Sequence, residues 1–155
     1  MDLLRVEIMK TMITNPLKSL GLAGVAGLAM LSLTTSALAG EPSYEKDYKA
    51  AVSKAKEAGK PVVVIFSASW CPPCQVNKKD VYPSKAVEPY VDKFVWVYLD
   101  VDKDENKKLA EQYGVRGIPH IEFLSPDAKK LGNVVGGTTP EDFAASLKTM
   151  LAQSP

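Results

Sequence analysis

The sequence is short of nearly everything that marks a specialised protein class. Among 155 residues there are two cysteines and one histidine. Two cysteines cannot build a disulfide-stapled scaffold, and one histidine cannot build a multi-histidine metal centre. Charge of one sign is also missing: 19 Lys and Arg face 18 Asp and Glu, a formal net charge of +1. Affinity for nucleic acid comes mainly from clustered basic charge, so nucleic acid is not an expected partner. There is no internal repeat and no low-complexity segment. With 46% hydrophobic residues the chain can bury the core of one ordinary domain.

The N-terminus reads as an address. Ser19 to Gly40 carries no charged side chain, and Arg5, Lys10 and Lys18 precede it. The most apolar part, Leu20 to Leu33, is followed by small and hydroxylated residues and then Ala37-Leu38-Ala39. A basic flank, a short apolar core and a small-x-small ending predict a secretory signal peptide over residues 1–39, cleaved after Ala39. An uncleaved membrane anchor is the competing reading, weakened by the Gly, Ser and Thr content of the run. The segment holds three basic and two acidic residues, which leaves 16 of each sign in residues 40–155. The chain is expected to be exported, to a periplasm first and to the outside second. Those compartments are oxidising, and a close cysteine pair is chemically live there.

Residues 40–155 are expected to form one domain. Ser43 can cap a helix that runs to Ala58 and closes at Gly59. Pro61 to Phe66 and Phe94 to Leu99 are continuous apolar runs rich in β-branched and aromatic residues. Strands without alternation are buried on both faces, as at the centre of a sheet covered by helices. Between them Pro72 to Val91 reads as helix broken by Pro83 and Pro89. Asp104 to Tyr113 reads as a helix, then Ile118 to Leu124 and Leu131 to Val135 as strands around a Ser125-Pro126-Asp127 turn. Thr139, Pro140, Glu141 and Asp142 open a last helix with a good cap, a first-position proline and acids at the positive dipole end. This order predicts an α/β fold with a central mixed β-sheet flanked by helices.

The chemistry lies in Trp70-Cys71-Pro72-Pro73-Cys74, which follows a buried strand and opens a helix. Two residues between cysteines on a first helical turn let the sulfurs bond. The first sulfur sits where the helix dipole favours its thiolate. The second lies one turn in, more buried, and can resolve a mixed disulfide. A purely stabilising disulfide is the plainer alternative, but it closes so short a loop that it restrains the unfolded chain little.

With these residues the chain resembles the thioredoxin superfamily. The resemblance runs from residue 44 to 152. It includes Tyr113-Gly114-Val115-Arg116-Gly117-Ile118-Pro119, similar to the family segment with a cis-proline opposite the cysteines, and Val135-Gly136-Gly137, similar to the glycine beside the substrate groove. It implies a thioredoxin fold and a protein thiol–disulfide oxidoreductase. Cys71 and Cys74 are then catalytic, and Trp70, Ile118, Pro119 and Gly136 form the substrate-binding face. The backbone of Ile118 is then the edge on which an extended substrate pairs. No dissociable cofactor and no metal are implied. Lys60-Pro61 and the stretch from Asp102 to Tyr113 are similar to the thioredoxin-like domain of membrane thiol:disulfide interchange proteins. That similarity implies a membrane or soluble thiol electron donor; protein disulfides are the expected substrates, and the chain is expected to be a monomer.

Three residues are expected to tune the site. Pro72 and Pro73 have no N–H, so two amide donors to the Cys71 sulfur are missing and its thiolate is less stabilised. That favours a reductant or interchange protein over a primary oxidant. His120, after the cis-proline, is read as a partly exposed residue that adjusts Cys71 by charge. The buried aspartate of the family corresponds to Ile65 and its lysine partner to Tyr98, so the usual proton route is absent. Glu122 is a substitute candidate, set against the plainer reading of a solvated strand residue. Two other functions stay open: metal handling by Cys71, Cys74 and His120, and disulfide oxidation or isomerisation.

Overall fold

A computed structural model describes residues 40–155. The expected leader and its cleavage after Ala39 lie outside the described residues. Among the described residues no helix is long and apolar enough to cross a membrane.

The chain enters through a two-residue strand, β1 (Tyr44–Glu45), parallel to Trp96 and Val97. Helix α1 (Tyr48–Ala58) follows. The expected helix start at Ser43 is therefore corrected. Asp47 is the cap, its carboxylate accepting from the Ala50 amide at 2.8 Å. Aspartate is a strong cap, and it leaves Tyr44 free to pair in the sheet and to meet the Tyr98 ring edge-on at 5.6 Å. Gly59, at φ 63°, closes the helix in the left-handed region, a conformation that costs glycine little.

Strand β2 (Val62–Ser67) is buried along its whole length. It pairs parallel with β3 (Val95–Asp100) and antiparallel with β4 (His120–Leu124). The latter forms a hairpin with β5 (Lys130–Val135), giving the sheet order β1-β3-β2-β4-β5. Strand β4 begins two residues later than the sequence pattern implies, because its ladder to β2 ends at the Phe66–His120 pair.

Between β2 and β3 run α2 (Pro72–Val76), a π-helical turn (Asn77–Val81) and α3 (Glu88–Val91). The helical run ends before Pro83, and Pro89 occupies the first turn of α3, where a missing N–H costs nothing. Helix α4 (Asp104–Gln112) leads to the segment before β4. Helix α5 (Pro140–Gln153) closes the fold, with Thr139 Oγ1 accepting from the Asp142 amide at 3.1 Å.

Both faces of the sheet are covered, which accounts for the unbroken apolar runs. On one face Val63, Ile65, Trp96, Ile121 and Phe123 pack against Tyr82 and against Phe143 and Leu147 of α5. On the other, Val62, Val64, Phe66, Val97 and Leu99 meet Ala51 and Ala55 of α1 and Ala110 of α4. Full burial of a side chain such as Phe143 stabilises by about 1.5–3 kcal/mol. These layers hold the end of β2, the start of β4 and the end of β5 side by side, and the cysteines sit above them.

Candidate active site

Cys71 caps α2 in an extended conformation and is bonded to Cys74, with Cα atoms 5.3 Å apart. The helix begins there because Pro72 and Pro73 fill its first two positions with φ already suited to a helix. Both cysteines are buried in this oxidised state, Cys71 at 3% exposure and Cys74 at 1%. The second cysteine is the more buried, in the expected order, but by a small margin while the bond is closed. The sulfurs share a small apolar nest with Ala68, Val101 and Ile118.

Trp70 stands out of the surface at 64% exposure. Its indole N–H donates to Asp102 Oδ2 at 2.8 Å, which fixes the ring. Beside it a cleft of about 490 Å³ runs between Trp70, Val101, Asp102, Val115, Gly117 and Ile118. The Ile118–Pro119 peptide bond is cis. Pro119 is buried, and its carbonyl accepts from the Gly136 amide at 2.8 Å. Gly136 adopts φ 89°. Next to it Gly137, with Pro73, Val76 and Asn77, lines a second, open groove of about 430 Å³. The structure therefore gathers Trp70, Cys71, Cys74, Pro72, Pro73, Ile118, Pro119 and Gly136 around one rim, flanked by a groove on either side.

Two sequence expectations are corrected. His120 is 4% exposed, not partly exposed, because it lies on β4 beneath Pro119 with its ring edge-on to Phe66. Glu122 is wholly buried, not solvated. Its Oε1 meets His120 Nε2 at 2.7 Å and accepts from Lys130 Nζ at 2.8 Å. A charge survives in such a place only when paired, and a partner eight residues on, across a turn, leaves no local mark in the sequence. His120 is thus engaged with Glu122 rather than with the sulfurs. Among the described residues no group of three or more His, Cys, Asp or Glu could hold a metal ion.

At the positions of the missing acid and lysine, Ile65 is fully buried and Tyr98 shares a hydroxyl hydrogen bond with Ser67. Lys78 Nζ sits 4.8 Å above the Tyr98 ring. Other contributors escaped the sequence reading. Asp102 anchors the exposed tryptophan. Asn77, buried in the π-helical turn, accepts from the Thr138 amide at 3.3 Å and donates to the Gly136 carbonyl at 3.5 Å. Its partners lie about 60 residues on, so no local feature of the sequence marks it.

Compared with known families, residues 48–151 match the Thioredoxin-like domain. The chain belongs to that thioredoxin-like family. It is 39% identical over 110 residues to the chloroplastic Thioredoxin-like protein HCF164 of Arabidopsis thaliana, covering 71% of this chain and 37% of that protein. It is 40% identical over 95 residues to Thioredoxin H-type of Oryza sativa subsp. indica, covering 60% of this chain and 72% of that protein. Among solved structures, a thioredoxin from Thermus thermophilus superposes with a TM-score of 0.66 at 28% identity, covering 74% of this chain and 89% of that one. The chain spans well under half the length of the chloroplast relatives that it matches.

Proposed function

We propose that the protein is an exported thiol–disulfide oxidoreductase that reduces or exchanges disulfides in other proteins. The observation that carries this reading is the Cys71–Cys74 bond, closed across the first turn of α2 and packed against Ile118.

The cycle needs only sulfur chemistry. In the reduced protein the Cys71 thiolate attacks one sulfur of a substrate disulfide. A Cys71–substrate bond forms, the substrate bond breaks, and the other substrate sulfur leaves as a thiolate. Cys74 loses its proton and attacks the Cys71 sulfur, which releases the second substrate sulfur and closes the Cys71–Cys74 bond. Two electrons pass to the substrate. An external dithiol donor, membrane-bound or soluble, returns them by the same exchange in reverse. Ile118 precedes the β4 ladder, which supports the reading that an extended substrate segment pairs with its backbone. Trp70 and Gly136 border that segment.

The absent amides of Pro72 and Pro73 favour reduction of substrates over their oxidation. Export is supported by the apolar run after Lys18 and its small-x-small ending. The test is a Cys74→Ser variant expressed with its leader in a bacterial host. It is expected to accumulate mixed disulfides on Cys71 in the periplasmic fraction, and their absence there overturns the reading. Equilibration with glutathione tests direction: a potential of about −200 mV or below is expected, and one near −120 mV makes the protein an oxidant.

A further inference from the structure

The cycle above leaves one buried charged group without a task. Glu122 sits in the middle of β4 with no solvent exposure, on a strand where every residue is buried. Its Oε1 takes His120 Nε2 at 2.7 Å, Lys130 Nζ at 2.8 Å and Asn133 Nδ2 at 3.4 Å. Its Oε2 is buried with no partner among the described residues. Replacing a buried ion pair with well-packed apolar residues is often neutral or stabilising. An apolar residue beside Val64, its neighbour on β2, would suit this strand at least as well. Stability alone does not account for the carboxylate.

Its position does. His120 is the residue after Pro119, and Ile118 packs against the cluster of Ala68, Cys71 and Cys74. Glu122 is thus held through His120 to the segment whose Ile118 packs against the cysteine cluster. The surroundings contribute little other charge. Strand β2 presents Val64 and Phe66 to it. From α1 and the end of α4 come the hydroxyls of Tyr48 and Tyr113, bonded to each other at 2.6 Å. Burial chiefly raises the Tyr113 hydroxyl, with Tyr48 and then Glu122 adding to the shift, so Tyr113 stays neutral. Strand β5 brings Lys130 and Asn133. Glu122 and Lys130 bring the carboxylate and the ammonium of the cluster, and His120 stands between them and the rim.

We propose that Glu122, His120 and Lys130 form a positioning unit that sets the charge felt by the Cys71 thiolate through the Pro119 backbone. This rests on the redox reading above. Opening the disulfide develops negative charge on the Cys71 sulfur. The Glu122 carboxylate opposes that charge and the Lys130 ammonium favours it. The balance of the two sets how readily the bond opens.

Opposite charges demand opposite effects, and that decides the test. Glu122→Gln keeps the shape and removes the negative charge. Lys130→Gln removes the positive charge from a side chain that is half exposed. The Cys71 thiolate is followed by its ultraviolet absorbance from pH 5 to pH 9, and the disulfide is equilibrated with glutathione. Glu122→Gln is expected to raise the thiolate fraction and move the equilibrium toward the reduced form, by about threefold to tenfold. Lys130→Gln is expected to move both the other way. Shifts of the same sign, or changes in melting temperature alone, overturn the proposal. If Glu122→Gln does not fold, the sign of the Lys130→Gln shift decides by itself. If the unaltered protein fails to exchange with glutathione, the redox reading falls and takes this one with it. If it exchanges and the variants do not shift, only the positioning unit falls.

Discussion

The Gly136 amide donates to the Pro119 carbonyl at 2.8 Å, so the end of β5 is tied to the cis-proline. Gly136 makes this bond at φ 89°, in the region that residues with a Cβ rarely adopt. A Cβ there would meet nothing within 4 Å, so the strain of a substitution is one of backbone conformation and not of space. Gly136→Ala is expected to cost about 1–2 kcal/mol of stability and to raise KM for a protein disulfide more than it lowers kcat. Denaturant melts and steady-state disulfide reduction measure the two effects separately.

Pro73 withholds an amide from the start of α2. Pro73→Ala supplies that N–H without adding a charge. A hydrogen bond to a charged group contributes about 1.5–3 kcal/mol. The Cys71 thiolate is therefore expected to gain stability, and the glutathione equilibrium to shift toward the reduced form by about tenfold or more. An unchanged equilibrium would show that the double proline does not set the direction of electron flow.

Asp102 holds the exposed Trp70 ring through the indole N–H. Asp102→Ala removes that tether at the surface and is expected to change stability by no more than about 0.5 kcal/mol. Trp70 fluorescence should gain mobility, read as lower anisotropy, and KM for a protein substrate should rise. A small dithiol-exchange substrate that does not touch the ring should react as before.

Alkaline pH should weaken the fold before it harms the sulfur chemistry. Tyr82 is fully buried, and burial raises its hydroxyl above the ordinary value, with the nearby Asn77 amide pulling the other way. The hydroxyl finds no hydrogen bond of sound geometry. Tyr44 is raised by burial, and then by the charges of Glu41 and Tyr98. In the unfolded chain each tyrosine ionises at about pH 10, while the folded state keeps its proton. The unfolded state therefore binds fewer protons above that pH, and stability falls as pH rises. The slope is at most about 1.4 kcal/mol per pH unit for each tyrosine. Chemical denaturation at pH 9, 10 and 11 checks this, and Tyr82→Phe should flatten the decline.

The local order of elements follows from the sequence alone. Short continuous apolar runs rich in β-branched and aromatic residues, at Val62–Phe66 and Val95–Leu99, read as strands covered on both faces. Thr139 and Pro140 mark the start of α5 because caps and first-turn prolines act within a few residues. The Cys71–Cys74 spacing belongs to the same class, since a bond across one helical turn is a local relation. What lay beyond it was decided at a distance. Asp47 displaced Ser43 as the cap of α1 once Tyr44 found a place beside Tyr98 in the sheet. The Glu122 carboxylate looked like a surface charge until the hairpin brought Lys130 over it and the sheet buried its strand. Trp70 needed Asp102 from beyond β3, and Pro119 needed Gly136 from the end of β5. Periodicity and caps are read within one turn or one strand, whereas ion pairs and groove walls join residues that only the folded sheet makes neighbours. The sequence by itself determined which sulfurs can react, and the tertiary structure decided what surrounds them.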